Sequence, residues 1–161
     1  KEGMEEAHRL LELPFWNGVS YIYSSPEPKA QKLAELASSE LNIEHKVVNE
    51  LREIDRLSTG FLDAEGYLKA VEEFYLHPAD SYKGWETAND ATLRIKTAIE
   101  IIMSENSDKD VVVIGHGLIG TCLACYVKGI DASFNEDPKI AGCTMVINWN
   151  SKKIVEDWEK Y

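Results

Sequence analysis

The sequence predicts an α/β fold, a three-layer α/β/α sandwich whose mostly parallel sheet has an antiparallel edge at its C-terminal end. Predicted helices and strands alternate along most of the chain, which is typical of parallel sheets covered by helices on both faces. Four consecutive β-branched residues, 111–114, predict a fully buried strand in the middle of such a sheet. Two strands joined by a short turn near the C-terminus predict the antiparallel edge.

The predicted helices each carry an apolar stripe at helical spacing. They cover residues 2–13, 27–41, 64–75, 88–104 and 118–127. The predicted strands consist of alternating or continuous apolar residues rich in strand formers. They cover residues 18–23, 45–48, 110–114, 141–149 and 153–158. At the start of the long helix, we expect Thr87 to be the N-cap and Asp90 to pair with Arg94, four residues later.

Length and composition indicate one globular domain over residues 1–161. Hydrophobic residues make up 44% and charged residues 28% of the chain, and no apolar run approaches the ~20 residues of a membrane span. The net charge of -11 argues against nucleic acid or an anionic membrane surface as a partner. Three cysteines without a secretory signal suit a reducing compartment, so we expect a cytoplasmic protein. The oligomeric state stays open.

His116 is the most informative single residue, because it follows the buried strand and precedes an apolar helix. Gly115 and Gly117 on either side of it permit a tight turn. Open α/β sheets bind ligands at the carboxyl ends of their strands, and helix N-termini there favour anions. The pattern therefore predicts that His116 lies in an anion-binding site, although a structural, hydrogen-bonded histidine is the alternative.

Other chemistries fit the residues poorly. A serine hydrolase would need its nucleophile where Gly117 stands. The glycines of 115–120 match a dinucleotide fingerprint, but the acidic partner Asp137 lies in a predicted loop. Cys122 and Cys125 lie inside a predicted helix, where core packing is their expected role. The other histidines share no metal-ligand spacing, so we expect neither a metal nor a cofactor.

Four short blocks, which follow one another in the same order, resemble one family. Tyr-Ser-Ser-Pro-Glu-Pro-Lys-Ala at 23–30 is similar to a Ser-Ser-Pro-x-x-Arg-Ala segment, and Leu-Arg-Glu at 51–53 to a Leu-x-Glu loop. Glu-Thr-x-x-Asp-x-x-x-Arg at 86–94 is similar to a Glu-Ser-x-x-Asp-x-x-x-Arg helix start. Val-Ile-Gly-His-Gly at 113–117 is similar to a strand end that carries a second catalytic histidine. Together the blocks resemble the histidine phosphatase superfamily, the phosphoglycerate mutase-like proteins.

The resemblance implies a fold of the phosphoglycerate mutase type and a reaction through a phosphohistidine. By position, His116 is the second, non-nucleophilic histidine that holds the phosphoryl oxygens together with Gly117. Glu53 is the candidate general acid and base. Lys29 stands where the family usually has Arg, and a lysine supplies a point charge in place of a bidentate fork. The implied partner is a small phosphorylated substrate.

One expected part is absent from the sequence. The family's nucleophile lies in an Arg-His-Gly motif on a first strand beside residues 111–114, so we expect the nucleophile and that strand to lie upstream of Lys1. The leading hypothesis is a phosphomonoester phosphatase, with a mutase less favoured because no further basic cluster would hold a second phosphate. The alternative is a non-catalytic protein of the same fold that binds a phosphorylated ligand or a protein partner.

Overall fold

The computed structural model describes residues 2–161 of the chain, with the side chains described from residue 3 onward. Its helices are α1 Glu2–Leu11, α2 Pro28–Leu41, α3 Ala64–Leu76, α4 Ala88–Glu105 and α5 Gly117–Lys128. Its strands are β1 Val19–Ser24, β2 Glu44–Val47, β3 Asp110–Ile114, β4 Cys143–Asn148 and β5 Lys153–Lys160. Short 3-10 turns cover Pro14–Trp16, Asn49–Leu51, Leu57–Thr59 and Phe134–Glu136.

The parallel sheet has the strand order β2-β1-β3. Ser24, the last residue of β1, lies opposite Val47 on one side and Ile114 on the other. Because the three strands are parallel and end in register, the segments that follow them leave the sheet at the same edge. This edge carries the candidate functional residues.

Helices cover both faces of the sheet, which confirms the predicted three-layer fold. Side chains alternate between the two faces along β1, so Ile22 and Tyr23 pack in different clusters. Ile22 packs with residues of α1 and α2. Tyr23 packs with residues of α3, α4 and α5. None of the helices in the described part of the chain is long and apolar enough to span a membrane.

The C-terminal strands β4 and β5 form the predicted antiparallel pair, and they make a two-stranded sheet of their own. This hairpin lies against α5 through Trp158. A Cβ at Gly120 would lie 3.1 Å from the Trp158 ring, so a glycine at this position of α5 permits the close approach.

Strand β3 has an unpaired edge among the described residues, where it pairs with β1 alone, and Val113 is 36% exposed. This is the edge on which a further strand upstream of Lys1 is expected, so a fully buried central strand stays a prediction. On β1, which has a strand on each side, Ile22 is fully buried. A run of β-branched residues predicts a strand. The place of that strand in the sheet depends on which other segments of the chain pair with it.

The observed ends of the helices lie within about two residues of the predicted ends. Thr87 is the N-cap of α4 and accepts a hydrogen bond from the backbone N–H of Asp90, as predicted. Helix α1 ends at Leu11, two residues before the predicted end. The N–H groups of Glu12 and Leu13 bond to carbonyls three residues back, so the chain tightens before Pro14.

We predict different costs for two truncations in the sheet of the 161-residue chain. Ile22→Ala should lower the free energy of unfolding by about 2–5 kcal/mol, because it opens a cavity in a fully buried position. Val113→Ala should cost less than about 1 kcal/mol, because Val113 lies on an exposed edge. Urea denaturation measures both, and equal losses would contradict the edge position of β3.

Candidate functional site

The candidate site begins where β1 and β3 end side by side. The backbone N–H of Ser25 donates to the carbonyl of Ile114 at 3.0 Å, so the pairing continues one residue past β1. His116 follows β3 by two residues, and its Nε2 lies 2.6 Å from the Oγ of Ser25. The parallel register therefore brings together two residues that are 91 positions apart in the chain.

His116 is the N-cap residue of α5, and its backbone is extended. Its side chain makes no capping hydrogen bond, and 19% of the side chain is exposed, so the imidazole can reach a ligand. Gly117 begins the helix and is exposed, and a Cβ at Gly117 would contact nothing within 4 Å. The first turn of α5 is thus open on the side where a Cβ would lie.

The carboxylate of Glu53 caps the same helix. It accepts hydrogen bonds from the backbone N–H groups of Leu118 at 3.2 Å and Ile119 at 2.9 Å, and from its own neighbour Ile54 at 3.0 Å. Free N–H groups and the helix dipole make a helix N-terminus a favourable place for a negative group. The structure thus places Glu53 and His116 at the same helix end.

Glu27 joins these groups. Ser25 Oγ donates to Glu27 Oε2 at 2.7 Å, and His116 Nε2 lies 3.0 Å from the same oxygen. The backbone N–H of Glu53 donates to Glu27 Oε1 at 3.0 Å. Burial by itself would raise the pKa of Glu27, but the hydrogen bonds from Ser25 and Glu53 and the nearby His116 outweigh it, so the pKa is lowered from 4.5. Glu27 is therefore held as a carboxylate.

Lys29 lies in the first turn of α2 and is exposed. Within residues 2–161 it forms neither a hydrogen bond nor an ion pair, so the structure does not join it to the cluster of Ser25, Glu27, Glu53 and His116. Its contact with a ligand stays a prediction.

Arg94 braces the segment that carries Glu53. Its Nη1 donates to the backbone carbonyls of Glu50 at 2.6 Å and Arg52 at 2.9 Å. Its Nε and Nη2 form a two-point ion pair with Glu86, at 2.8 and 2.7 Å. The guanidinium thus fixes the backbone directly before Glu53.

The predicted pairing of Arg94 with Asp90 is wrong. Asp90 is exposed in the first turn of α4, whereas Glu86 lies just before the helix and presents both carboxylate oxygens to the guanidinium. The side chains of Arg94 and Glu86 are only 11% and 13% exposed, and a two-point pair in a partly desolvated place is stronger than an exposed pair along a helix.

Sequence reasoning missed Ser25, Glu27 and Glu86 as site residues. Residues 27–41 were predicted as a helix, but α2 begins at Pro28 and Glu27 precedes it, so its side chain is free to contact His116. One signal was available in the sequence. Ser25 follows β1 and His116 follows β3, and residues that follow neighbouring parallel strands meet at one edge of the sheet.

The two helix cysteines have the predicted structural role. Cys122 and Cys125 are free and buried in α5. Burial raises the pKa of the Cys122 thiol to about 12, so it stays protonated and unreactive at neutral pH. Within residues 2–161, no group of three or more His, Cys, Asp or Glu side chains is arranged to hold a metal ion.

A cavity of about 620 Å³ lies elsewhere, between α4 and the segment after β2. Its lining includes Arg94 but none of Ser25, Glu27, Glu53 or His116, and much of it is aliphatic. The candidate site is therefore identified by the ionisable side chains at the strand ends and not by the volume of this cavity.

The sequence profile of the histidine phosphatase superfamily (branch 1) matches residues 1–157. The chain belongs to this superfamily. This finding confirms the resemblance that the four sequence blocks indicated. Among curated proteins, none matches the chain significantly.

Solved structures share the fold. Bacillus stearothermophilus YhfR is similar with a TM-score of 0.74 and 18% identity, over 95% of this chain and 78% of that protein. A mycobacterial glucosyl-3-phosphoglycerate phosphatase has a TM-score of 0.69 and 17% identity, over 98% of this chain and 83% of that one. The alpha-ribazole phosphatase of Shigella flexneri has a TM-score of 0.70 and 16% identity, over 99% and 82%. At these identities the likeness shows a common fold.

We predict that the ion pair between Glu86 and Arg94 makes the free energy of unfolding depend on pH. Burial would raise the pKa of Glu86, but the hydrogen bonds and charge of Arg94 outweigh it and lower the pKa from 4.5. A carboxyl with a lowered folded pKa stabilises the fold above about pH 4.5, and this contribution is lost as the pH falls through the folded value. Glu86→Gln should therefore destabilise the protein most above pH 5.

Chemical denaturation between pH 3 and 7 measures this effect, and the gap between wild type and Glu86→Gln should narrow towards pH 3. Glu72→Gln, an exposed position on α3, is the matched control and should leave the profile unchanged. A gap that stayed constant with pH would contradict the proposed cause.

Proposed function

We propose that the protein hydrolyses small phosphomonoesters through a phosphohistidine, in a single histidine-phosphatase domain that comprises residues 1–161 and a first strand upstream of them. The observation that supports this most is that His116 and the carboxylate of Glu53 lie at the same end of α5, where Glu53 accepts hydrogen bonds from the N–H groups of Leu118 and Ile119. An imidazole and backbone N–H groups can stabilise phosphoryl oxygens, and a carboxyl group can transfer the proton that ester cleavage needs.

In the proposed reaction a nucleophilic histidine attacks phosphorus, so a P–N bond forms while the P–O bond of the ester breaks. Glu53 gives its proton to the leaving oxygen. A water molecule then attacks phosphorus, Glu53 takes a proton from it, and inorganic phosphate leaves the nucleophile. His116, the backbone of Gly117 and Lys29 hold the phosphoryl oxygens throughout and offset their charge.

The nucleophile in this proposal lies upstream of Lys1, on a strand that pairs with the edge of β3. That edge is unpaired among residues 2–161, and a parallel strand placed there would end beside the end of β3, which His116 follows by two residues. Its last residues would thus reach the same sheet edge as the rest of the site.

A phosphatase is favoured over a mutase. The side-chain hydrogen-bond partners of the His116 imidazole within residues 2–161 are Ser25 and Glu27, and neither supplies a positive charge for a second phosphate. Two of the structurally similar proteins are phosphatases by name, a glucosyl-3-phosphoglycerate phosphatase and an alpha-ribazole phosphatase.

The free cysteines also support the proposal of a cytoplasmic location.

A non-catalytic phospho-ligand-binding protein is the second candidate. Within residues 2–161 no other histidine contacts His116, and His45 is hydrogen-bonded to Ser24 instead. The sequence of the intact N-terminus separates the two candidates, because the enzyme needs an Arg-His motif there. A protein without such a motif would be non-catalytic.

For the intact protein we predict that His116→Ala slows the hydrolysis of a generic aryl phosphate about 100- to 1000-fold, because it removes one group that stabilises the phosphoryl charge. His77→Ala is the matched control, since His77 directly follows α3 and its side chain is 54% exposed. Steady-state kinetics measures both variants. Equal turnover in wild type and His116→Ala would refute the role of His116.

We predict that the effect of Glu53→Gln depends on the leaving group. Alkyl phosphates need a proton on the leaving oxygen in the transition state, so their kcat should fall at least tenfold more than that of a nitrophenyl ester. Glu50→Gln, three residues earlier and exposed, is the control. A uniform loss across esters would contradict general acid catalysis by Glu53.

A further inference from the structure

Glu27 has no helix-capping role that would explain its contacts. It occupies the N-cap position of α2, but its side chain makes no capping hydrogen bond. Its carboxylate instead contacts Ser25 Oγ, His116 Nε2 and the backbone N–H of Glu53. The side chain is 37% exposed, so the carboxylate lies at the opening of the site and not in the core.

The groups around Glu27 are the ones that an anionic ligand would use. Ser25 Oγ and the Glu53 N–H are donors, and a protonated His116 Nε2 is a third. A phosphate that binds His116 must therefore displace the carboxylate of Glu27 from this set. Pro28 and α2 hold the backbone of Glu27 in place, so the displaced carboxylate stays within side-chain reach of the bound phosphate.

The displaced carboxylate of Glu27 is itself a negative charge close to the bound phosphate. The ionisable groups that lie against Glu27 from other elements are His116 and Glu53, and Glu53 is already engaged by α5. On its own element, Lys29 follows two residues later and is exposed. The net charge of -11 adds to this field. A further anionic group on a ligand would meet repulsion here, whereas a cationic group would be attracted.

We infer that Glu27 is a specificity-determining residue. It makes the site favour phosphate compounds that carry an ammonium group close to the phosphate over compounds that carry a carboxylate there. The inference rests on the proposed function, because it requires that the site binds phosphate.

Three phosphonates test the inference, because their C–P bonds resist hydrolysis and their carbon chains match. They are 2-aminoethylphosphonate, phosphonoacetate and ethylphosphonate, which carry an ammonium group, a carboxylate and no further charge. Calorimetric titration of the wild type should give a dissociation constant about tenfold or more lower for 2-aminoethylphosphonate than for phosphonoacetate. Glu27→Gln should reduce that ratio at least about fivefold while ethylphosphonate still binds.

Two further variants make the result specific. Glu35→Gln removes the same charge from an exposed position of α2 and should leave the ratio unchanged. Glu27→Asp keeps the charge and should keep the preference, which tests the inference even if Glu27→Gln does not fold.

The outcomes separate the inference from the proposed function. A ratio that is the same in wild type and Glu27→Gln, or a preference lost in Glu27→Asp, would overturn the inference alone. Failure of the wild type to bind inorganic phosphate or any of the three phosphonates would overturn the proposed phosphate site, and the inference with it.

Discussion

The arrangement of the site depends on the hydrogen bonds between the carboxylate of Glu53 and the first turn of α5. These bonds join two parts of the chain, the segment after β2 and the helix after β3, at the end of the parallel sheet. They also satisfy N–H groups that the helix itself cannot pair. Without them, nothing in the sheet would hold Glu53 close to His116, because the two residues follow strands that are not neighbours.

The second support of the site lies on the other side of Glu53. Arg94 binds the carbonyls of Glu50 and Arg52 and is itself fixed by Glu86. Removal of one partner of such a mostly buried ion pair leaves a charge without compensation, so the loss reaches beyond the pair itself. The segment of Glu53 is thus fixed at both ends, by a helix N-terminus and by a guanidinium. This double attachment suits the proton transfer that we propose for Glu53, because a group that transfers a proton must keep one position.

The site contains carboxylates although it is proposed to bind an anion. Two carboxylates, those of Glu27 and Glu53, occupy donors that an anion would use, in a protein with a net charge of -11. The positive groups near the sheet edge are few, and Lys29 is not engaged by the described residues. In the proposed function an incoming phosphate competes with internal carboxylates and does not enter a preformed cationic pocket. This competition connects the geometry of the site to the kind of ligand that we propose it selects.

The sequence by itself determined the fold class, the helices with clear caps, and the identity of His116 and Glu53 as candidates. These features depend on local periodicity, on capping residues such as Thr87, and on the order of four motifs, all of which can be read along the chain. The two strands of the antiparallel hairpin were also predictable from the sequence, because a short turn determines which two segments pair.

Only the tertiary structure decided the partner of Arg94 and the roles of Ser25 and Glu27 as contacts of His116. Each of these depends on distance in space between residues that are far apart in sequence. Periodicity shows which way a side chain points along its own element, but it does not show which residue of another element it meets. The strand over residues 110–114 and His116 were thus predictable from the sequence, while the carboxylates around that histidine were identified only in the folded chain.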